Sequence, residues 1–450
     1  MIKPFFTQFI DNIGKDNNNG IIVYNEITYS YDDLYKNILS FIDEFKKRKI
    51  YKKIVYLNSD YSFNSISAFF ALAYCKNIII PNVSKLKSEL EQRIDIISPD
   101  YTVSFENDNK KLKFHESISN SVKHPLIKSL IDNNIPGIVL FSSGSTGRPK
   151  AMIHDLNMLL STYLDKKKKG LTFVLMLLFD HIGGINTLFN CISMGAKIII
   201  PKSKTPESIS YLIDKYKINV LPSSPTFLNL ILIGGFVKNY SFKSLRLVTY
   251  GTERMPEELL NRLKKTFNRV KFLQTFGTSE TGIATTKSES SNSTFFEIVD
   301  KEQEYKIVKK ELWLRSKTQI KGYINSSNES FTEDGWFKTG DLVEVKGNYF
   351  KIIGRKNEVI NVGGEKVLPS EVENVIMEIE DIIDCTVSGE DSPLIGQYVV
   401  ADIVTNHENK KKIKSLVRDY CKSKLDKYKV PVKITFKESI EHTERFKKKR

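Results

Sequence analysis

The sequence predicts an α/β protein, because three features of the chain indicate sheets that carry helices on their faces. Short apolar segments typical of buried strands alternate with helical segments from residue 21 to residue 276. Unusual polar residues gather where those strands end, the edge at which open α/β sheets bind ligands. The segments become β-type from about residue 285, and from about residue 357 they indicate a small α+β unit. We therefore expect a large N-terminal domain of helix-covered sheets with a β-rich subdomain, followed by a small C-terminal domain.

The elements of the large domain are predicted from their apolar patterns. Short apolar or β-branched runs predict strands at 21–24, 27–31, 53–57, 77–81, 101–105, 138–141, 171–178, 196–200, 219–222, 245–250 and 271–276. Longer segments predict helices at about 31–47, 62–75, 85–98, 155–164, 185–194, 206–217, 226–232 and 256–267. Because the segment 62–75 is apolar and carries alanines, we expect that helix to be buried.

The small C-terminal unit is predicted to combine two helices with a short sheet. Its first helix covers about 370–380, with Ser370 and Glu373 at the spacing of a capping box. Strands at 383–387 and 397–404, a helix at 410–425 and a strand at 432–436 follow. We place the boundary near Arg355, so that the domains are residues 1–354 and 355–450.

Composition indicates an ordinary soluble globular protein. The chain has 450 residues, of which 40% are hydrophobic and 27% charged, so it can bury a large core. Its beginning has no signal-peptide pattern, and no segment approaches the roughly 20 apolar residues of a spanning helix. The four cysteines are far apart and form no CxxC pair, which favours a reducing compartment without a structural metal site. We therefore expect a cytoplasmic protein with no membrane span.

The net charge of +15 allows two functional interpretations, nucleic-acid binding and attraction of anionic substrates. The lysines are scattered through all predicted elements, and only 166–169 and the last six residues are dense. This distribution favours well-solvated lysines, with a secondary contribution from polyphosphate binding, over a specific nucleic-acid site.

The most informative stretch is 138–150, with the sequence IVLFSSGSTGRPK. It begins as an apolar run, continues as six residues of only Ser, Thr and Gly, and ends in Arg148, Pro149 and Lys150. Small residues let a backbone approach a ligand closely, while hydroxyls and exposed N–H groups donate to phosphate oxygens. A polar surface turn is the simpler interpretation of a Gly/Ser tract, but the ordered combination of strand, loop and basic residues predicts a polyphosphate-binding loop.

This loop differs from the Walker A loop of P-loop NTPases. A Walker A loop has four residues between its glycines and then Gly-Lys-Ser/Thr. Here only Ser145 and Thr146 separate Gly144 from Gly147, and Pro149 precedes the lysine.

Four further stretches carry candidate functional residues. His181 stands at a strand end before Gly-Gly, where a capping or core histidine is the alternative. Glu280 lies in a loop rich in hydroxyls and glycine, where a carboxylate beside phosphates can bind Mg²⁺. Asp341 lies at a turn and can accept both hydroxyls of a ribose, with a β-turn aspartate as the alternative. The stretch 354–369 joins a basic turn to a Gly-Gly loop.

In this order, the five stretches resemble the adenylate-forming superfamily, which includes acyl-CoA synthetases, peptide-synthetase adenylation domains and firefly luciferase. The resemblance extends over essentially the whole chain, and the segments 179–189 and 361–366 are similar to those of small bacterial acyl-CoA synthetases. It implies a mobile C-terminal lid and a two-step reaction. A carboxylate first attacks the α-phosphate of ATP-Mg²⁺ to give an acyl-adenylate and pyrophosphate, and a thiol of coenzyme A or of a phosphopantetheine carrier then takes the acyl group and releases AMP.

The resemblance also implies a role for each matching residue. The phosphates would be held by Ser142, Ser143, Gly144, Ser145, Thr146, Gly147 and Lys150, with Ser279 at the α-phosphate and Glu280 on Mg²⁺. Adenine would be lined by Tyr250, Gly251, Thr252, Glu253, Phe276 and Gly277, and the ribose held by Asp341 and Arg355. Asn357 would be the hinge, His181 would lie near the acyl carboxylate, and Gly363 and Gly364 would border the thiol tunnel.

The lysine of the adenylation step is matched at the end of the chain. The superfamily ends with Pro-Lys-Thr-x-x-Gly-Lys, and here the corresponding residues are 441–447. Thr443 and Lys447 fit this pattern, so Lys447 is the candidate catalytic lysine, while Lys448 and Lys449 are near enough to compete.

The sequence thus predicts an acid–thiol ligase that forms AMP, with two alternatives. One is a stand-alone adenylation enzyme that loads an acyl carrier protein, and the other is a non-catalytic nucleotide- or RNA-binding protein. The acid is expected to be a small carboxylic acid. No Asp stands where amino-acid-activating domains hold an α-amino group, and Ile182, Ile185, Phe227 and Leu228 suggest an apolar acyl chain, although each could equally be core. The sequence leaves the oligomeric state open.

Overall fold

The computed structural model describes residues 5–15, 20–106, 111–117, 122–142, 148–164 and 166–440. Its helices, numbered in chain order, are α1 Phe5–Lys15, α2 Tyr31–Lys47, α3 Phe63–Tyr74, α4 Lys87–Ile97, α5 Pro125–Asp132, α6 Leu156–Ser161, α7 Ile182–Ser193, α8 Pro206–Tyr216, α9 Pro225–Ile233, α10 Glu257–Thr266, α11 Pro369–Met377 and α12 Lys410–Lys424. Short 3₁₀ turns cover Phe236–Lys238, Lys356–Glu358 and Lys427–Lys429. None of the helices in these ranges combines the length and the apolar character that crossing a membrane requires.

The strands are numbered in the same way. They are β1 Ile21–Tyr24, β2 Ile27–Ser30, β3 Ile54–Asn58, β4 Ile78–Asn82, β5 Tyr101–Glu106, β6 Lys111–Glu116, β7 Gly137–Ser142, β8 Lys150–Asp155, β9 Thr172–Val174, β10 Lys197–Ile200, β11 Val220–Ser223, β12 Leu247–Tyr250, β13 Lys271–Gln274, β14 Phe276–Thr278, β15 Gly282–Ala284, β16 Thr286–Ser288, β17 Phe296–Ile298, β18 Gln303–Val308, β19 Glu311–Ser316, β20 Gly322–Tyr323, β21 Phe337–Lys346, β22 Tyr349–Arg355, β23 Ile360–Val362, β24 Glu365–Val367, β25 Asp384–Ser392, β26 Gly396–Val404 and β27 Lys433–Phe436.

Two seven-stranded sheets form the body of the large domain. The first has the order β13-β12-β11-β9-β10-β1-β2 and the second the order β20-β8-β7-β4-β3-β5-β6. Their central strands are parallel, whereas β2, β6, β8 and β20 add antiparallel edges. A single core cluster contains buried residues of both sheets and of α3 and α7. The helix predicted to be buried, α3, therefore lies between the sheets, where its apolar surface is covered on every side.

The β-rich segment forms a third sheet, with the order β16-β17-β22-β21-β19-β18. Its strands pair antiparallel, and residues such as Phe296, Leu314 and Phe350 form a core of its own. The long hairpin β21-β22 ends at Arg355, directly before the small domain begins. This hairpin therefore connects the large domain to the predicted hinge.

The small C-terminal domain packs α11 and α12 on a sheet built from β23 to β27. Its core cluster contains only residues between Ile360 and Ile434. The predicted fold class is confirmed, while the boundary at residues 354 and 355 stays a prediction. The predicted capping box is wrong, because α11 is preceded by Leu368, without a side-chain cap, and Ser370 Oγ donates to the Ile353 carbonyl instead.

Several elements were not predicted from the sequence. They include α1, β6, α5, β8, β15, β23 and β24. Strand β6, with the sequence KLKFHE, is a polar edge strand whose pairing with β5 gives it its structure. Strand β8 follows the polyphosphate loop directly and pairs with β7, so the loop connects the two strands of a hairpin.

Candidate active site

A cleft of about 560 Å³ opens at the carboxyl ends of β7, β11, β12 and β13. Among the described residues, it brings together most of the predicted site: its lining includes Ser142, Lys150, His181, Gly251, Thr252, Phe276, Gly277, Ser279, Glu280, Arg355 and Asn357. A second cavity of about 240 Å³ shares part of this lining and adds Glu253 and Asp341. The carboxyl ends of the strands and the hairpin β21-β22 thus meet at one site. Open α/β sheets bind their ligands at this edge.

The ends of the polyphosphate loop are held in register by the hairpin β7-β8. Ser142 and Lys150 are cross-strand partners, and both line the cleft. Asn325 fixes the basic end, since its amide donates to the Pro149 carbonyl at 2.9 Å and its Oδ1 accepts from the Ala151 N–H at 2.8 Å. The predicted phosphate ligands Ser143, Gly144, Ser145, Thr146 and Gly147 lie outside the described residues, as does the predicted catalytic Lys447.

Glu280 lies in the turn between β14 and β15, and a tyrosine holds one of its oxygens. The Tyr323 O–H donates to Glu280 Oε1 at 2.8 Å, and Lys150 Nζ lies 5.6 Å from the centre of the Tyr323 ring. Burial, with the carboxylate adding to it, raises the pKa of Tyr323 well above its usual value, so this hydroxyl stays a donor. Tyr323 was not among the residues predicted from the sequence, where its only signal is an aromatic residue directly after Gly322 in a polar segment.

The surroundings of Glu280 suit a magnesium ion that binds together with a nucleotide. Within the described part of the chain, no three His, Cys, Asp or Glu residues come together as a metal site. Mg²⁺ is commonly bound by one or two carboxylates while phosphates and water complete its octahedron. A single oriented carboxylate beside Lys150 and the loop hairpin meets this requirement.

Asp341 and Arg355 form an ion pair at the base of the predicted hinge. They are cross-strand partners on β21 and β22, and Arg355 Nε lies 3.0 Å from Asp341 Oδ1. Asp341 is only 4% exposed, and its charge raises the pKa of Arg355. Beyond Arg355, the 3₁₀ turn Lys356–Glu358 carries Asn357 along the wall of the cleft. Lys356 also lies 3.5 Å from Glu311, which ties the start of the turn to β19.

His181 caps the amino end of α7, beside the cleft. Its Nδ1 accepts from the Gly183 N–H at 3.2 Å, which places the proton of a neutral imidazole on Nε2. Glycine is required at position 184, because a Cβ there would lie 1.9 Å from the Leu178 carbonyl oxygen. Glycine therefore lets the strand end and α7 approach closely enough to bring His181 to the cleft wall.

Contacts of Arg254 join the two domains beside the second cavity. Its guanidinium donates to the Ser370 carbonyl at 3.0 Å and to Asn374 Oδ1 at 2.5 Å, both in α11. The neighbouring Glu253 accepts from the Thr226 N–H at 2.7 Å, so this carboxylate stabilises the first turn of α9.

Other predicted residues lie away from the cleft lining. The ring of Tyr250 is buried in the core of the first sheet and lines neither cavity. Gly363 and Gly364 form the turn of the β23-β24 hairpin with φ of 61° and 94°, and they also line neither cavity. For the acyl chain, Ile182 lines the cleft, whereas Ile185, Phe227 and Leu228 belong to core clusters, which is the alternative that the sequence left open for each of them.

Thr252 occupies a strained backbone conformation at the point where both cavities meet. Its φ is 71°, in the left-handed region that β-branched residues rarely adopt. We expect Thr252→Gly to raise the free energy of unfolding by roughly 0.5–1 kcal/mol, because glycine adopts this φ without the Cβ penalty. Urea unfolding would measure this change in the free energy of unfolding. The control Thr249→Gly, in extended β12, should lower stability, and equal effects of the two changes would contradict the interpretation.

Family models match most of this architecture. The model for an AMP-binding enzyme matches residues 52–324, and the model for the C-terminal domain of AMP-binding enzymes matches residues 371–447. The chain belongs to the AMP-binding enzyme family. The resemblance to adenylate-forming enzymes predicted from the sequence is thereby confirmed.

Curated relatives of this AMP-binding enzyme include CoA ligases. It is 26% identical to the 4-coumarate–CoA ligase-like protein 9 of Arabidopsis thaliana over 57% of this chain and 51% of the relative. It is 28% identical to acyl-CoA synthetase 7 of Caenorhabditis elegans over 74% of this chain and 67% of the relative. The match thus spans about half of the first relative and two thirds of the second.

Solved structures share the fold over nearly the whole chain. An anthranilate CoA ligase in complex with anthranoyl-AMP has a TM-score of 0.81 at 17% identity, covering 98% of this chain and 95% of that one. An o-succinylbenzoate coenzyme A synthetase from Bacillus subtilis in complex with ATP and magnesium ion has a TM-score of 0.74 at 17% identity, covering 98% of both chains.

Proposed function

We propose that this AMP-binding enzyme is an AMP-forming acid–thiol ligase, which activates a small carboxylic acid with ATP and transfers the acyl group to coenzyme A. The observation that carries the proposal is the convergence of Lys150, Glu280, Asp341 and His181 on two adjoining cavities at the base of the hinge. The CoA ligases among its relatives support the same reaction class.

The geometry suits a reaction between two anions. Lys150 and the loop hairpin offer positive charge and N–H donors to the phosphates, while Glu280 would hold Mg²⁺, which neutralises charge on the transferred group. Asp341 would bind the ribose, so the nucleotide would be bound both at its phosphates and at its sugar. His181, with its proton on Nε2, can donate to the carboxylate of the acid and orient the attacking oxygen. No nucleophilic side chain is needed for in-line attack at the α-phosphate.

The remaining parts of the proposal concern the lid and the setting of the reaction. Asn357 would be the hinge about which the domain 355–450 turns, so that Gly363 and Gly364 approach the thiol in the second step. Four free cysteines, all buried, fit a reducing cytoplasmic setting. An acyl carrier protein is the alternative acceptor, and coenzyme A is favoured because the curated relatives described above are named as a CoA ligase-like protein and an acyl-CoA synthetase.

Acid-dependent release of pyrophosphate from ATP tests the proposal. The wild-type enzyme should release pyrophosphate only when ATP, Mg²⁺ and an acid are all present. Adding coenzyme A or a holo-carrier protein to the preformed adenylate then identifies the acceptor. Salt-sensitive RNA binding without any pyrophosphate release would contradict the proposal and favour a nucleic-acid-binding protein.

Glu280→Gln should lower kcat/KM for pyrophosphate release by about 10- to 100-fold and raise the Mg²⁺ concentration needed for half-maximal rate, because an amide oxygen binds the ion less strongly. The matched control is Glu289→Gln, directly after β16 and outside the cleft lining, where the carboxylate pairs with Lys346; it should change neither quantity. An unchanged Mg²⁺ dependence in Glu280→Gln would contradict the assignment of Glu280 as a ligand of Mg²⁺.

A further inference from the structure

A polar residue of α7 lines the cleft beyond His181. Asn186 lines the cleft and lies five residues after the histidine, which is about 7.5 Å along the helix axis at 1.5 Å per residue. An acid whose carboxylate meets His181 would therefore meet Asn186 several atoms further along its chain.

The orientation of the Asn186 amide is determined by its neighbours. Asn190 Nδ2 donates to the backbone carbonyl of Asn186 at 2.9 Å, and since a carbonyl only accepts, this Asn190 atom must be the nitrogen. The same nitrogen lies 3.1 Å from Asn186 Oδ1, so the atom facing it is the oxygen. The buried Tyr163 O–H donates to that oxygen as well, at 2.7 Å. Both lone pairs of Oδ1 are thus occupied, which leaves the two N–H donors of Nδ2 for a molecule in the cleft that Asn186 lines.

The rest of the acyl-side lining is small and largely polar. Thr187, Ser223, Thr249 and Thr275 line the cleft, while Leu177, Ile182 and Ile283 offer apolar contacts for a short hydrocarbon stem. The bulky apolar residues nearby face the cores of the two sheets. This lining offers little apolar surface to a long acyl tail.

From this arrangement we infer that the acid activated by the enzyme is short and carries a second oxygen acceptor, a carbonyl or hydroxyl group, that accepts a hydrogen bond from Asn186 Nδ2. The inference rests on the proposed function. A purely apolar tail would remove water from the Asn186 donors without replacing its hydrogen bonds, and sites built around a polar group reject analogues that lack it. Asn186 is thus a specificity-determining residue for the tail of the acid.

Pairs of acids that differ by one oxygen test the inference. We expect kcat/KM for pyrophosphate release to be about 10- to 100-fold higher with 5-oxohexanoate than with hexanoate, and higher with 4-hydroxybenzoate than with benzoate. An active enzyme that uses both members of each pair equally, or prefers hexanoate and benzoate, would overturn the inference and leave the ligase proposal standing. Absence of pyrophosphate release with every acid would instead count against the ligase proposal itself.

Two variants tie the preference to this side chain. Asn186→Leu should abolish the preference for the oxygenated acid of each pair, mainly by lowering kcat/KM for that acid. Asn186→Asp, which keeps the shape and replaces the donor by an acceptor, should do the same. The matched control Asn261→Leu, on the exposed side of α10, should keep the wild-type ratio. Retention of that ratio in a folded Asn186→Asp enzyme would overturn the assignment.

Discussion

Asp341→Ala should raise the KM for ATP by roughly 10²- to 10³-fold. A buried carboxylate that accepts both ribose hydroxyls makes two charge-assisted hydrogen bonds, each contributing about 1.5–3 kcal/mol. The substitution also leaves Arg355 without its partner at 3.0 Å on the opposite strand, so the residue before the proposed hinge loses an ion pair. Steady-state pyrophosphate release at varied ATP concentration would measure the change.

The ribose contact can be separated from damage to the hairpin. The wild-type enzyme should discriminate against 2′-deoxy-ATP and 3′-deoxy-ATP, and Asp341→Ala should use all three nucleotides about equally poorly. Asp334→Ala removes an exposed turn carboxylate whose partner is the neighbouring Thr332, and should leave the KM for ATP unchanged. Undiminished discrimination in Asp341→Ala would contradict a ribose contact.

Lys447→Ala should lower acid-dependent ATP–pyrophosphate exchange by on the order of 10³-fold. The reason is electrostatic: in-line attack on the α-phosphate concentrates negative charge there, and a lysine carried by the lid would stabilise that charge only during adenylation. ATP binding, which Lys150, Glu280 and Asp341 would provide, should change little. Exchange assays together with equilibrium binding of ATP would measure both quantities.

The neighbouring lysines supply the controls for this assignment. Lys448→Ala and Lys449→Ala should exchange pyrophosphate at nearly the wild-type rate. Thiol transfer from a preformed adenylate should proceed at the normal rate in Lys447→Ala, because the lid would have withdrawn this lysine before the second step. Full exchange activity in Lys447→Ala, or its loss in Lys448→Ala instead, would move the catalytic role to another residue.

The order of elements and the chemistry of the motifs could be predicted from the sequence because both depend on local patterns. Apolar runs of strand length and the helical segments between them identified most of α2 to α10 at nearly their observed bounds. The loop 142–150 and Glu280 were recognisable because each combines unusual residues with a turn at a strand end. The turn predicted at Asp341 is wrong, because this residue lies within β21 and pairs across the hairpin with Arg355. Edge strand β6 was missed, since a polar strand gains its structure from pairing with β5 rather than from burial.

Packing decided the rest, because it determines which side of an element faces the cleft. Periodicity could not tell that Phe227 and Leu228 point into a core, or that Tyr250 lies beneath the site instead of lining it. Periodicity also could not predict that Tyr323 donates to Glu280, 43 residues away, or that Tyr163 donates to the amide oxygen of Asn186 and so determines its orientation. By itself, the sequence determined the family and predicted the residues that would bind ATP. Only the tertiary structure, by bringing distant hydrogen-bond partners together, indicated what kind of acid the cleft would accept.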